Sequence, residues 1–196
     1  MNNRRLSFGE KVKGLLGAPS NTFNGVGAES LASALRFFAI WAAIYAILQT
    51  LFSYVLDLGV LQILWDWLGL GPAVVYGFNP AAFGVASLLG AFAGLFITGS
   101  WAHLFVRAFG GRKGYENTMK AFAYGNTPAL MFGWIPLVGP AFSIWALILD
   151  IIGIRQLHEI STGRAIGAVL LSIGALAAIV VLVVLAVVLL MVFTAE

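Results

Sequence analysis

A chain of 196 residues with 61% hydrophobic and only 10% charged side chains and a mean hydropathy of +0.96 has more apolar surface than a soluble globule of its size can bury. Its solvent is therefore the lipid bilayer. The formal net charge is +3 and there are no cysteines, which excludes disulfides, thiolate metal sites and cysteine nucleophiles.

Residues 1–30 read as a basic leader on the cytosolic side, carrying Arg4, Arg5, Lys11 and Lys13. Phe8, Val12, Leu15 and Leu16 fall at i, i+4, i+7 and i+8, the spacing of a short helix lying in the membrane surface; a flexible basic arm is the alternative. Pro19, Gly25 and Gly27 then mark a loop. The first long apolar run opens near Leu31, too late and too long for a cleavable signal, so it stays as a span.

The expected architecture is all-α, a polytopic bundle whose membrane domain covers 31–193 with five spans at about 31–56, 81–105, 119–134, 137–157 and 165–193. Between the first two, Trp65 and Trp67 in a short apolar stretch predict an interfacial segment. Along the second span Ala82, Ala86, Gly90, Gly94, Thr98 and Ala102 recur every fourth residue. Such a stripe lets another helix approach closely; packing within the chain is the expected use, and a homo-oligomer through Gly90 and Gly94 the other. The loop that follows contains GGRKG, but the GxxxxGK[ST] spacing and a preceding strand are missing. It predicts a positive surface with no nucleotide and no nucleic acid. The last span is almost pure Val, Leu, Ile and Ala and exceeds the hydrocarbon thickness, so it tilts or protrudes.

The third and fourth spans are joined by little more than Pro136, and each carries groups that lipid penalises: Asn126, Thr127 and Pro128 in one, Asp150 in the other. Polar groups without water cost several kcal/mol each unless paired, so these residues should face protein and one another.

Lysine and arginine fix the orientation. All eleven lie in the leader or at the start of span one, between spans two and three, or between spans four and five. By the positive-inside rule the N-terminus is cytoplasmic and the C-terminus outside. A third and fourth segment that dip in without crossing would leave the same charge pattern. Arg4, Arg5, Lys11, Lys13, Arg112 and Lys113 are the expected contacts to anionic lipid, each contributing roughly 1 kcal/mol.

Counted from the cytosolic ends at about 1.5 Å per residue, Asn126, Thr127, Asp150 and Ser172 lie roughly 10 Å deep in one layer, with His103 shallower. An ionisable residue inside a span is a functional hypothesis by default. Three readings compete for the cluster Asp150, Asn126, Thr127, Tyr124, His103 and Ser172: a polar clasp in which Asp150 is satisfied by Asn126, Thr127 or Tyr124, an ion or proton pathway with His103 or Arg107 as partner, and catalysis. Catalysis lacks its parts. There is no HExxH, no GxSxG turn and no second intramembrane carboxyl for an aspartyl dyad, and no metal or cofactor is expected.

Ala121 and Tyr124 ahead of Thr127-Pro128, the turn over 133–139, Trp145, Gly153, Leu157-His158, Ser161-Thr162-Gly163 and Ala165 together give a stretch that resembles the Yip-one domain family, the Ypt/Rab-interacting membrane proteins, in its prokaryotic branch. Ala18-Pro19 and Thr22-Phe23 are similar to the opening of that domain. The resemblance implies five spans and a cytosolic N-terminus. For eukaryotic members it implies Rab GTPases, vesicle traffic and membrane shaping; their acidic DLYGP-like motif is missing here, so no family binding residue carries over. The short basic leader points to the cell membrane of a prokaryote. The sequence thus reads as a non-enzymatic protein that shapes membrane or scaffolds a cytosolic or membrane partner. A small channel or transporter built on the Asp150 layer and a GTPase-recruiting adaptor are the alternatives.

Overall fold

Capping chemistry sets the first elements. Ser7 and Glu10 form a reciprocal capping box that starts α1 (Phe8–Gly17), and Pro19 opens α2 (Pro19–Val26), where its missing N–H is no loss. The two fold back on each other because Gly14 has no side chain: a Cβ there would collide with Thr22 Oγ1. The computed structural model describes residues 6–55, 67 and 79–194. Arg4, Arg5 and nearly all of the expected interfacial segment around Trp65 lie outside the described residues, and Trp67 itself is exposed.

The bundle proper consists of α3 (Leu31–Val55), α4 (Pro80–Ala108), α5 (Tyr115–Gly125), α6 (Thr127–Phe132), α7 (Gly139–His158) and α8 (Thr162–Thr194). Four of these, α3, α4, α7 and α8, are long and apolar enough to cross a membrane. The expected third span is not one helix. It begins at Tyr115, four residues earlier than its apolar run suggested, and breaks between α5 and α6. Pro128 explains the break: it has no N–H for the carbonyl of Tyr124 four residues back, and Thr127 Oγ1 donates to that oxygen instead. Beyond the break, Trp134 meets Phe52 near the end of α3, with ring centroids 6.1 Å apart. A turn with Leu137 at φ 65° then leads into α7.

Packing is uneven from end to end. At the basic end, where α4 and α7 finish and α5 and α8 begin, Leu15, Phe23, Val26, Val106, Met119, Tyr124, Leu149, Ile154 and Val169 are buried in one cluster. At the far end large side chains such as Leu51, Val55, Val85 and Leu89 are exposed, and no described residue of α8 beyond Ser172 is buried. Lipid tails are as apolar as leucine, so packing inside the bilayer gains little from burial and relies on close fit and hydrogen bonds. Where a buried side chain is instead withdrawn from water, each fully buried Leu, Val or Phe contributes about 1.5–3 kcal/mol.

At Gly153 of α7 two helices, α2 and α5, press in together: a Cβ would lie 2.8 Å from Phe23 and 2.9 Å from Ala121. Gly153→Ala should therefore destabilise by about 1–3 kcal/mol through overpacking, read as a lower unfolding midpoint in detergent. Gly174→Ala in α8, where a Cβ meets nothing within 4 Å, should leave the midpoint unchanged or slightly raised.

Candidate functional site

Two polar centres are built into the bundle. The first lies at the basic end, around Glu29 in the loop before α3. Its Oε2 accepts from Lys11 Nζ of α1 at 2.6 Å, from Ser33 Oγ of α3 at 2.7 Å and from the Tyr124 hydroxyl of α5 at 2.8 Å. Lys120, buried one turn before Tyr124, donates to the carbonyls of Gly27 and Glu29 at 2.9 and 3.0 Å. Glu116, a further turn back, accepts from the Leu31 N–H at 2.8 Å, so a carboxylate from α5 caps the start of α3. Burial alone would raise the Glu29 carboxyl, but the hydrogen bonds from Lys11, Ser33 and Tyr124 and the Lys11 charge outweigh it and hold it below its ordinary value.

Beside this junction Thr118 of α5 sits between two histidines. Its hydroxyl is 2.7 Å from His103 Nδ1 of α4 and 2.9 Å from His158 Nε2 of α7. One hydroxyl can donate to one ring and accept from the other, so the three side chains tie three helices together. Among the described residues no three His, Asp or Glu side chains gather as a metal cluster.

The second centre lies deeper. A groove of about 510 Å³ between α3, α4, α6 and α7 is lined by Tyr45, Gln49, Ser87, Thr98, Asn126 and Ser143 among others. Thr98 and Asn126 also line a neighbouring cavity of about 220 Å³, which contains Asp150, Trp101 and Ser172. Asp150 is only 7% exposed, and its Oδ1 has no hydrogen-bond partner. That oxygen lies against Gly125, where a Cβ would collide with it. Glycine at the end of α5 is what lets α7 bring a carboxyl this close.

The six side chains expected in one cluster are thus divided. Asp150, Asn126 and Ser172 share the cavity. Tyr124 points to the other side of α5, toward Glu29, and His103 is engaged with Thr118. Thr127 is fully buried and spends its hydroxyl on the Tyr124 carbonyl, and Asn126 donates to the Phe122 carbonyl. The helix break takes the Thr127 hydroxyl hydrogen and one of the two Asn126 amide hydrogens, and Asp150 Oδ1 receives a bond from neither.

Three further expectations change. Lys11 is not a lipid contact: it is turned inward and paired with Glu29, side chains 9% and 7% exposed. The leader does not lie free on the surface either, for α1 packs Leu15 into the core and sets Phe8 stacked on Trp41 and tilted against Phe37. Lys13 and Arg112 are exposed, while Lys113 pairs with Glu159 at 2.9 Å. The small-residue stripe of α4 is also not where the chain packs most closely. A Cβ on Gly90 or Gly94 meets nothing within 4 Å, whereas Gly84 faces Thr50 and Gly99 faces Met119. Small side chains mark where approach is sterically allowed; the buried face through Leu95, Gly99, Ala102 and Val106 is where α5 and α8 actually lie. The Glu29 junction had gone unread, although Glu116, Lys120 and Tyr124 at i, i+4 and i+8 form a polar stripe that calls for a partner.

Four apolar helices of spanning length around a buried polar interior define a multi-pass helical membrane protein. The sequence matches the Yip1 domain over residues 13–194, nearly the whole chain. The protein belongs to the Yip1 domain family, whose members are generally non-enzymatic membrane proteins. Comparison with curated proteins and with solved structures gave no match.

A carboxyl whose folded value is depressed contributes stability that is present above its ordinary value of 4.5 and is lost as pH falls through the folded value. Glu29→Gln, which leaves buried Lys11 without its counter-charge, should cost about 3 kcal/mol at pH 7. The difference in unfolding midpoint between wild type and variant should shrink as the pH is taken down through the carboxylate range. A gap that stays constant from pH 7 to pH 3 would mean that Glu29 is not held as a carboxylate.

Proposed function

We propose that this Yip1-domain protein is a non-enzymatic membrane-shaping scaffold of the cell membrane, thicker on its cytosolic side than on the other. The observation that carries the reading is the uneven distribution of helices along the bundle. At the basic end α1, α2 and α5 add to the four long helices and are packed against them, while the far half of α8 stands without buried residues. Each helix with its side chains is about 10 Å across, so extra helices at one end widen the leaflet they occupy. The orientation follows from the positive-inside rule, since Arg107, Arg112, Arg155 and Arg164 all belong to the thick end. Exposed Lys13, Arg36, Arg107, Arg112 and Arg164 are available to anionic headgroups at roughly 1 kcal/mol each.

The chain then crosses five times, with α5 and α6 together as a broken third crossing. Their 18 residues from Tyr115 to Phe132 span roughly 27 Å at 1.5 Å per residue, which agrees with the meeting of Trp134 and Phe52 near the end of α3. A chain without cysteine makes the test clean. Lys13→Cys and Leu137→Cys, the latter at a turn position 96% exposed, should react with an impermeant maleimide from opposite sides of the membrane. Labelling of both from the same side would leave the third and fourth segments re-entrant.

Curvature has its own measurement. Reconstituted into vesicles containing a third anionic lipid, the protein should reduce vesicle diameter or draw tubules as its density rises, with a weaker effect in purely zwitterionic lipid. Diameters that do not respond to protein density in either lipid would overturn the shaping role.

A further inference from the structure

We infer that the Asp150 cavity is a binding site for one compact monovalent cation, held by the carboxylate and by neutral side-chain oxygens of three other helical segments. The chemistry follows from where the hydrogens go. Thr98 Oγ1 donates to the Gly94 carbonyl at 2.6 Å, and Ser172 Oγ to the Val169 carbonyl at 2.7 Å. A hydroxyl has a single hydrogen, so both groups offer the cavity lone pairs only. Asn126 uses an N–H on the Phe122 carbonyl at 2.8 Å and keeps its own carbonyl oxygen. The Trp101 indole N–H is likewise spent, on the Ser172 carbonyl at 2.8 Å.

Four polar side chains from α4, the α5–α6 break, α7 and α8 therefore line a space of about 220 Å³ chiefly with oxygen acceptors, the second N–H of Asn126 being the donor they keep. Asp150 adds a carboxyl whose Oδ1 receives no hydrogen bond. Asp150 and Ser172 are buried, Asn126 is half-buried and Thr98 is exposed; a buried carboxyl oxygen without a donor is costly, and a cation is the usual partner of clustered hard oxygens. A single carboxylate matches a single positive charge, whereas divalent ions normally recruit several carboxylates. The larger groove shares Thr98 and Asn126 with the cavity and is also lined by Gln49, whose buried Oε1 has no partner. The site is independent of the shaping role, since no residue of the thick basic end takes part in it.

The decisive measurement is equilibrium binding of radioactive sodium to the purified full-length protein in detergent at constant ionic strength set by choline. The expected result is saturable binding of one ion per chain, displaced by unlabelled sodium, potassium or methylammonium, whichever fits best. Asp150→Asn keeps the shape and removes the charge, and should weaken binding at least tenfold; Ser172→Ala, which removes one neutral oxygen, should weaken it several-fold. Circular dichroism and a single gel-filtration peak establish that each variant is folded. Should Asp150→Asn fail to fold, the wild type and Ser172→Ala still decide the matter. No saturable uptake by the wild type, no displacement by any of the three cations, or equal affinity in folded Asp150→Asn would overturn the assignment.

Discussion

One carboxylate oxygen holds the two halves of this protein together. Glu29 Oε2 receives hydrogen bonds from α1, α3 and α5, and Lys120 binds the backbone of the same loop from the opposite direction. Two buried lysines and a buried glutamate are costly to place outside water unless each is satisfied. Their mutual satisfaction requires the leader hairpin to sit in one position on the bundle. The buried Phe23 and Leu15 hold that position by packing, but apolar contact is not directional, whereas converging donors are. The cap and the membrane part therefore form one cooperative unit.

The central helix α5 is what both polar centres share. It is short, and every residue from Thr118 to Gly125 is buried, so each of its faces has a dedicated neighbour. Lys120 and Tyr124 face the leader, Thr118 faces the two histidines, and Gly125 makes room for Asp150. The interruption at Asn126, Thr127 and Pro128 ends α5 at the level where the carboxyl of α7 arrives. Irregular backbone at membrane depth is tolerated where it is buried in protein or lines a cavity, and here it does both. The side chains that repair the break are those whose hydrogens are then missing from the cavity.

Lipid explains the imbalance between the two ends. Where the surroundings are hydrocarbon, exposing Val and Leu carries no penalty, so the far half of α8 can remain unaccompanied without loss of stability. In the proposed orientation the basic end meets water and headgroups. There an exposed apolar face would be penalised, and extra helices cover it.

The sequence by itself settled the solvent, the helical class and the family: 61% hydrophobic residues and long apolar runs leave few other arrangements for a backbone in lipid. Asn126, Asp150 and Ser172 could be placed at one depth because helical rise is uniform. Which of the equally deep side chains faced one another could not, since depth says nothing about rotation around the helix axis: Thr127 shares the depth of Asp150 yet turns its hydroxyl to the Tyr124 carbonyl. Nor could hydropathy reveal that the helix carrying the third apolar run starts at Tyr115 and breaks before Pro128, because apolar content registers neither a polar first turn nor a missing N–H. The inward turn of Lys11 was equally hidden. Its periodicity is that of a surface charge, and only the arrival of Glu29 and Tyr124 from distant parts of the chain makes the buried position the more favourable one.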